Sequence, residues 1–242
     1  MKSAILCVGN SFSQDATRYL EAIASACGDE LTVRNCYIGG CSLEMHRSNL
    51  LSEEPLYELQ KDGVCVEMIS LENALSAREW DFVTVQQVSY LAGERESYEP
   101  YLEELIAGIR LIAPRARIAM HGIWGYERGC GHPEFGRYGR DSVRMAEAIE
   151  AAVSEAAVRY ALPIIASGRA IRRAQENPAF DPERGGVSLY RDGYHLSLDY
   201  GRYLAGLVWY SFFTGKAFER ADFAPEGTEP ALIRICREAA AG

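Results

Sequence analysis

The hydroxyl, imidazole and carboxylate that combine most readily in this sequence lie near its two ends. Ser11 stands in "GNSFS", residues 9–13, directly after the apolar run Ala4 to Val8, and Asp192 and His195 stand in "RDGYHLS", residues 191–197. A carboxylate at the D-x-x-H spacing can curl back to hold one ring nitrogen, which fixes the tautomer and leaves the other nitrogen to take a proton from a hydroxyl. A serine beside such a base becomes a nucleophile. Each half also has a plainer reading, Ser11 as a helix cap and Asp192 as a capping aspartate before a surface histidine. The chain order Ser, Asp, His, with the serine at a first strand-to-helix turn, favours the joint reading.

Other polar residues follow other apolar runs. Gly39, Gly40 and Ser42 follow "LTVRNCYI", Gln86, Gln87 and Ser89 follow "DFVTV", and His121 precedes Trp124 in "ARIAMHGIW". A buried Gln-Gln pair costs about 1–3 kcal/mol for each unsatisfied amide, so these two are internal braces or face a ligand. His46 in "LEMHRS" and His132 in the glycine-rich "RGCGHPEFG" are weaker candidates, the second on a loop able to cover a crevice. No H-E-x-x-H or D-x-D-x-D-G spacing occurs, and neither a metal nor another cofactor is expected.

These residues need a scaffold, and the alternation of patterns supplies one. Short apolar runs read as strands buried on both faces, beginning with Ala4 to Val8 and continuing through "LTVRNCYI", "DFVTVQQ", "ARIAMHGIW" and "LPIIASG". Helical spacing fills the intervals: Phe12 to Cys27, "SLENALSAREW", Tyr98 to Ile112, Ser142 to Tyr160, an amphipathic helix from Asp199 to Phe213, and a short C-terminal helix. Asp62-Gly63 marks a small hairpin. The expectation is one domain over residues 1–242, a three-layer α/β/α fold with a mostly parallel sheet of about five strands. Its strand-end loops converge on one crevice at the carboxyl edge.

Composition narrows the partners. With 25 basic and 34 acidic side chains the net charge is −9, which argues against nucleic acid and against an anionic membrane surface. One lysine and a five-residue apolar run precede Gly9, too short for a signal-peptide core, and no apolar stretch reaches membrane-spanning length, so a cytoplasmic location is expected. The seven cysteines (Cys7, Cys27, Cys36, Cys41, Cys65, Cys130, Cys236) form no C-x-x-C pair and are odd in number, which fits neither a disulfide framework nor a zinc ribbon. Most of them read as small buried side chains, and Cys41, beside two glycines, is the one to watch. Oligomeric state is left open.

Together "GNSFS", "IGGCSL" at residues 38–43, "VQQVS" at residues 85–89 and "RDGYHLS" resemble the four blocks of the SGNH (GDSL-like) hydrolase superfamily. They are most similar to an uncharacterised bacterial branch with Gly-Asn-Ser in place of Gly-Asp-Ser. The resemblance spans nearly the whole chain and implies the flavodoxin-like SGNH fold. It makes Ser11 the nucleophile, His195 the general base, Asp192 its orienting partner, and the N–H groups of Ser11 and Gly40 oxyanion donors. Asn10, His121, Trp124 and Tyr194 are the candidate pocket residues. One block departs: the usual Gly-x-Asn-Asp, whose asparagine supplies a third oxyanion donor, is absent after "DFVTV". Gln87 is expected to take its place, with Gln86 as second choice, since the residue one step further along stands closer to the crevice.

The implied activity is a serine esterase acting on a small acyl ester, for example an O-acetylated carbohydrate, through an acyl-enzyme. Tyr90, Trp124, Tyr126 and Tyr194 favour a small polar ester over a long-chain lipid. A nucleotide-binding reading lacks both G-x-G-x-x-G and the P-loop pattern, and the α/β-hydrolase reading lacks G-x-S-x-G. The remaining alternative is a non-catalytic carbohydrate- or ligand-binding protein that keeps the hydrolase fold.

Overall fold

The first apolar run forms a strand, β1 (Lys2–Gly9), buried from Ser3 onward because helices cover both faces of the sheet it belongs to. The computed structural model describes residues 1–218 and 221–242. The other strands are β2 (Glu30–Tyr37), β3 (Tyr57–Lys61), β4 (Val64–Ile69), β5 (Phe82–Val85), β6 (Arg117–His121) and β7 (Ile164–Ile165), in the spatial order β4-β3-β2-β1-β5-β6-β7. Pairing is parallel from β2 through β1, β5 and β6 to β7, whereas β3 runs antiparallel to β2 and β4 antiparallel to β3.

The sheet therefore has seven strands where about five were expected. The five parallel strands are those the apolar runs marked, and the Asp62-Gly63 hairpin adds two more at the β2 edge. Asp62 at φ 51° and Gly63 at φ 77° make the positive-φ pair that a tight two-residue hairpin requires. Nothing in the hairpin's sequence announces its docking, because β4 is exposed along nearly its whole length and so carries no buried-face pattern. What it does is cover the open edge of β2.

The helices are α1 (Ser11–Thr17), α2 (Leu20–Ala26), α3 (Leu43–Leu50), α4 (Leu71–Ser76), α5 (Tyr101–Ile112), α6 (Ser142–Tyr160), α7 (Ser167–Gln175), α8 (Tyr200–Thr214) and α9 (Pro230–Ala241). The single helix expected over Phe12 to Cys27 is two, broken at Tyr19, whose backbone sits at φ −111°, ψ 4°. No glycine or proline marks that break. Tyr19 is held instead by a long-range bond from its hydroxyl to the Leu198 carbonyl, 2.7 Å. Helix α8, expected to be amphipathic, is buried on nearly every side from Tyr200 to Phe213 because α1, α2, α7 and α9 pack around it. Helices α3, α4 and α5 pack together as a separate group. Among the described residues no helix is long and apolar enough to cross a membrane. Parallel pairing leaves Gly9, Tyr37, Val85 and His121 at one edge of the sheet, and the loops that follow them build the site.

Candidate active site

The turn after β1 is built so that the Ser11 hydroxyl is not spent on capping the helix. Gly9 admits no side chain, since a Cβ there would lie 2.3 Å from Ser13 Oγ. Asn10, not Ser11, caps α1: its side-chain oxygen accepts the Phe12 N–H at 3.0 Å. Ser11 is the first helical residue, and its Oγ lies 2.8 Å from His195 Nε2. The other ring nitrogen of His195 is 2.7 Å from Asp192 Oδ2. Because a carboxylate only accepts, Nδ1 carries the hydrogen, and Nε2 is the lone pair that faces the serine.

Local chain geometry holds the second half. Asp192 Oδ1 accepts the N–H groups of Tyr194 (3.2 Å) and His195 (2.8 Å), so the D-x-x-H segment is closed on its own carboxylate. Burial raises the Asp192 carboxyl, but bonds from the His195 ring and from these two N–H groups outweigh it, and its pKa falls below the ordinary value. Gly193 sits at φ 87° with Cys130 only 3.1 Å from where a Cβ would stand, so both conformation and space call for glycine. The turn Ile38–Cys41, closed by the Cys41 N–H on the Ile38 carbonyl at 3.2 Å, brings Gly40 to φ 65°. Among the described residues the N–H groups of Ser11 and Gly40 are paired with no acceptor. The Asn10 amide donates to the Cys41 carbonyl at 3.0 Å and ties this turn to the serine turn.

Several residues expected at the site lie behind it. Gln87, proposed as a side-chain oxyanion donor, has both amide hydrogens committed to Ser97, at 2.8 Å to its carbonyl and 3.1 Å to its hydroxyl. Its oxygen accepts the N–H groups of Leu43 and Val88. It is a clamp between α3 and the 88–98 loop, with nothing left for a ligand. Gln86, the second choice, donates to Asn10 Oδ1 at 2.7 Å and accepts from His121 Nδ1 at 2.7 Å. His121 Nε2 in turn accepts from Ser167 Oγ at 3.0 Å, and Ser167 accepts from the Trp209 indole at 3.1 Å. Asn10, Gln86 and His121 are each about 1% exposed, so these three make an internal brace across the strand ends and do not line a pocket. Burial brings the His121 pKa down to about 3 and keeps the ring neutral. Trp124 is equally buried, stacks on Phe12 at 4.6 Å between centroids, and donates to the Tyr194 carbonyl at 2.8 Å, supporting the turn from behind. Of the four expected pocket residues only Tyr194 reaches solvent, its ring 4.2 Å from that of His195.

The sequence reading missed Asp15. It lies one turn after Ser11 on α1, is fully buried, and accepts from Arg191 (3.0 and 2.9 Å), from Arg202 Nε (2.8 Å) and from the Leu196 N–H (2.9 Å). Those partners flank Asp192 and His195, so one carboxylate bolts the histidine loop to the serine's helix. The available signal was the one charge in "SFSQDAT", between the apolar Phe12 and Ala16. Arg191 also donates to the Leu196 carbonyl, closing the same loop from inside. Among the described residues no cluster of three or more His, Cys, Asp or Glu side chains could hold a metal.

The fold that carries this hydroxyl, imidazole and carboxylate at its strand ends is that of the SGNH (GDSL-like) hydrolases. A protein from Slackia heliotrinireducens classed with the SGNH hydrolases shares the fold at TM-score 0.52 and 24% identity, over 88% of this chain and 100% of its own. A variant of an acetyl-xylooligosaccharide esterase from Geobacillus does so at TM-score 0.53 and 12% identity, over 94% and 97%. The chain belongs to the DUF4886 family, a domain of unknown function, whose family model matches residues 4–242. The solved structure of a DUF4886 protein from Bacteroides uniformis matches at TM-score 0.91 and 35% identity, over 99% of this chain and 93% of its own. No curated protein matches the chain.

Proposed function

We propose that this protein is a serine esterase that hydrolyses a small acyl ester, for example an O-acetylated carbohydrate, through an acyl-enzyme on Ser11. The observation that carries this reading is the 2.8 Å contact of Ser11 Oγ with His195 Nε2 while Nδ1 lies 2.7 Å from Asp192. His195 takes the hydroxyl proton as Oγ attacks the ester carbonyl, and the carbonyl electron pair moves onto its oxygen, which the N–H groups of Ser11 and Gly40 receive. Collapse expels the alcohol, whose oxygen takes the proton back from Nε2. Water gives a proton to the same nitrogen as it attacks the acyl carbon, and collapse of the second intermediate breaks the ester bond to Ser11, whose Oγ takes that proton back as the acid leaves. Asp192 holds Nδ1–H and stabilises the imidazolium in both halves.

The test is a series of p-nitrophenyl esters of increasing chain length, followed by acetylated sugars, with wild type and Ser11→Ala side by side. Turnover highest for acetyl and abolished in Ser11→Ala supports the reading; equal rates in the two proteins refute it. One observation favours a second reading, a non-catalytic carbohydrate- or ligand-binding protein: the commitment of both Gln87 amide hydrogens to Ser97 leaves the oxyanion only backbone donors. A reactive-serine phosphonate separates the two. Labelling of Ser11 supports the esterase, and an unlabelled protein that still binds sugars supports the binding protein.

A further inference from the structure

The esterase reading fixes the side on which the alcohol leaves. His195 Nε2 returns its proton to the leaving oxygen, so that oxygen lies on the imidazole's side of Ser11, and the alcohol extends over the surface that continues from the ring. That surface is aromatic. Tyr194 lies 4.2 Å from His195, His132 lies 5.0 Å from Tyr194, and Tyr90 stacks on His132 at 6.3 Å and 20°, while the buried Tyr126 backs His132 at 5.0 Å. It is also held in place: the Glu127 N–H donates to the Gly193 carbonyl at 2.7 Å, the His132 N–H to Cys130 Sγ at 3.5 Å, and Tyr126 Oη meets Ser89 Oγ at 2.8 Å.

His132 presents a hydrogen-bond donor of known identity. Its Nδ1 accepts the Glu134 N–H at 3.2 Å, capping the 3-10 turn over residues 133–138. Burial is the main cause that lowers its pKa, so the ring is neutral near pH 7 and its one hydrogen sits on Nε2. Among the described residues that Nε2 has no partner, nor do the hydroxyls of Tyr90 and Tyr194. Aromatic faces interrupted by a few unspent donors suit a ligand with apolar C–H faces and many oxygens. A long-chain aliphatic alcohol would leave those donors unpaired.

We propose, on the basis of that esterase reading, that the leaving alcohol is a polyhydroxylated ring of the sugar type, lying against Tyr194 and accepting a hydrogen bond from His132 Nε2. His132 is then a specificity-determining residue for the alcohol half of the substrate.

The experiment compares two esters of the same acid, p-nitrophenyl acetate and a monoacetylated methyl glucoside, in wild type, His132→Leu and His132→Gln. The expected result is that His132→Leu lowers kcat/KM for the glucoside about tenfold more than for p-nitrophenyl acetate, mostly through KM, and that His132→Gln, which keeps an N–H donor, recovers most of the difference. An equal loss on both esters, no loss on either, or a glutamine variant no better than leucine overturns the proposal. Should His132→Leu not fold, competitive inhibition of p-nitrophenyl acetate hydrolysis by methyl glucoside in the wild type decides it: inhibition supports the proposal and its absence overturns it. A wild type that cleaves p-nitrophenyl acetate and not the sugar ester overturns this inference alone. One that cleaves neither and resists the phosphonate overturns the esterase reading with it.

Discussion

Two serine–histidine pairs stand at the carboxyl edge of the same sheet. Ser11 opens α1 after β1 and Ser167 opens α7 after β7, with Oγ to Nε2 distances of 2.8 Å to His195 and 3.0 Å to His121. They differ at the far nitrogen, which meets the Asp192 carboxylate in one and the Gln86 amide oxygen in the other. They differ also in access: the His195 and Asp192 side chains are 19% and 38% exposed, whereas Ser167 and His121 are closed off from solvent. An amide cannot offset an imidazolium as a carboxylate does, and burial already brings His121 down to about 3, so the inner ring has no capacity as a base near neutrality. Ser167 further spends its oxygen on the Trp209 indole. On the proposed esterase reading, a serine and a histidine in hydrogen-bond contact are thus a brace or a nucleophile pair according to counter-charge and solvent.

Substitution at both pairs breaks the comparison most directly. Ser11→Ala and His195→Ala should each lower kcat on any turned-over ester by at least about a thousandfold, and Asp192→Ala by roughly a hundredfold less than either, with melting temperatures close to wild type. Ser167→Ala should do the reverse. It should keep kcat within about twofold and cost about 1–3 kcal/mol of stability, read as a drop of several degrees in Tm. Activity lost in Ser167→Ala with Tm unchanged would mean that the inner pair reaches the chemistry.

Asp15 joins the two kinds of role, and its loss should come next in size. Asp15→Ala leaves Arg191 and Arg202 without their shared carboxylate in a largely buried setting, a change of about 3–5 kcal/mol, and it releases the loop that carries Asp192 and His195. Both chemical denaturation and kcat should register it. An Asp15→Ala protein with a lower Tm and wild-type kcat would show that the loop keeps its geometry without the bolt.

A smaller effect separates the glutamines from the reacting atoms. Gln87→Ala strands the N–H groups of Leu43 and Val88 and should cost about 1–3 kcal/mol while leaving kcat of the folded enzyme within a few-fold. A hundredfold fall in kcat at unchanged Tm would restore Gln87 as an oxyanion donor.

The last effect is a slope. His46 and His121 are both lowered by burial to about 3, against about 6.5 in an unfolded chain, so the unfolded state binds the extra protons between those values. Stability is complete above about pH 6.5 and falls as pH drops toward 3, by about 1.4 kcal/mol per pH unit for each histidine once below pH 6. His46→Leu should remove one such share from the slope of unfolding free energy against pH between 6 and 4. An unchanged slope would mean that His46 is not held neutral in the folded protein.

Much of this was legible in the residues themselves. The five parallel strands are local apolar runs, Gly9-Asn10-Ser11 is a local punctuation between strand and helix, and Asp192 and His195 are close enough in sequence for the chain to join them within one turn. Such features follow from near-neighbour sterics and hydrogen bonding, so the sequence by itself determined the parallel core and the three residues worth bringing together. What only the tertiary structure decided are the partners across long separations: that Gln87 meets Ser97 and not the crevice, that Asn10 and His121 are braces, that Asp15 binds arginines 176 and 187 positions away, that the Asp62-Gly63 hairpin docks on β2. A glutamine or a buried aspartate carries the same atoms whichever way it faces. Its role is set by what stands opposite once the strands align, and that pairing is a property of the packed sheet, written in no single stretch of the chain.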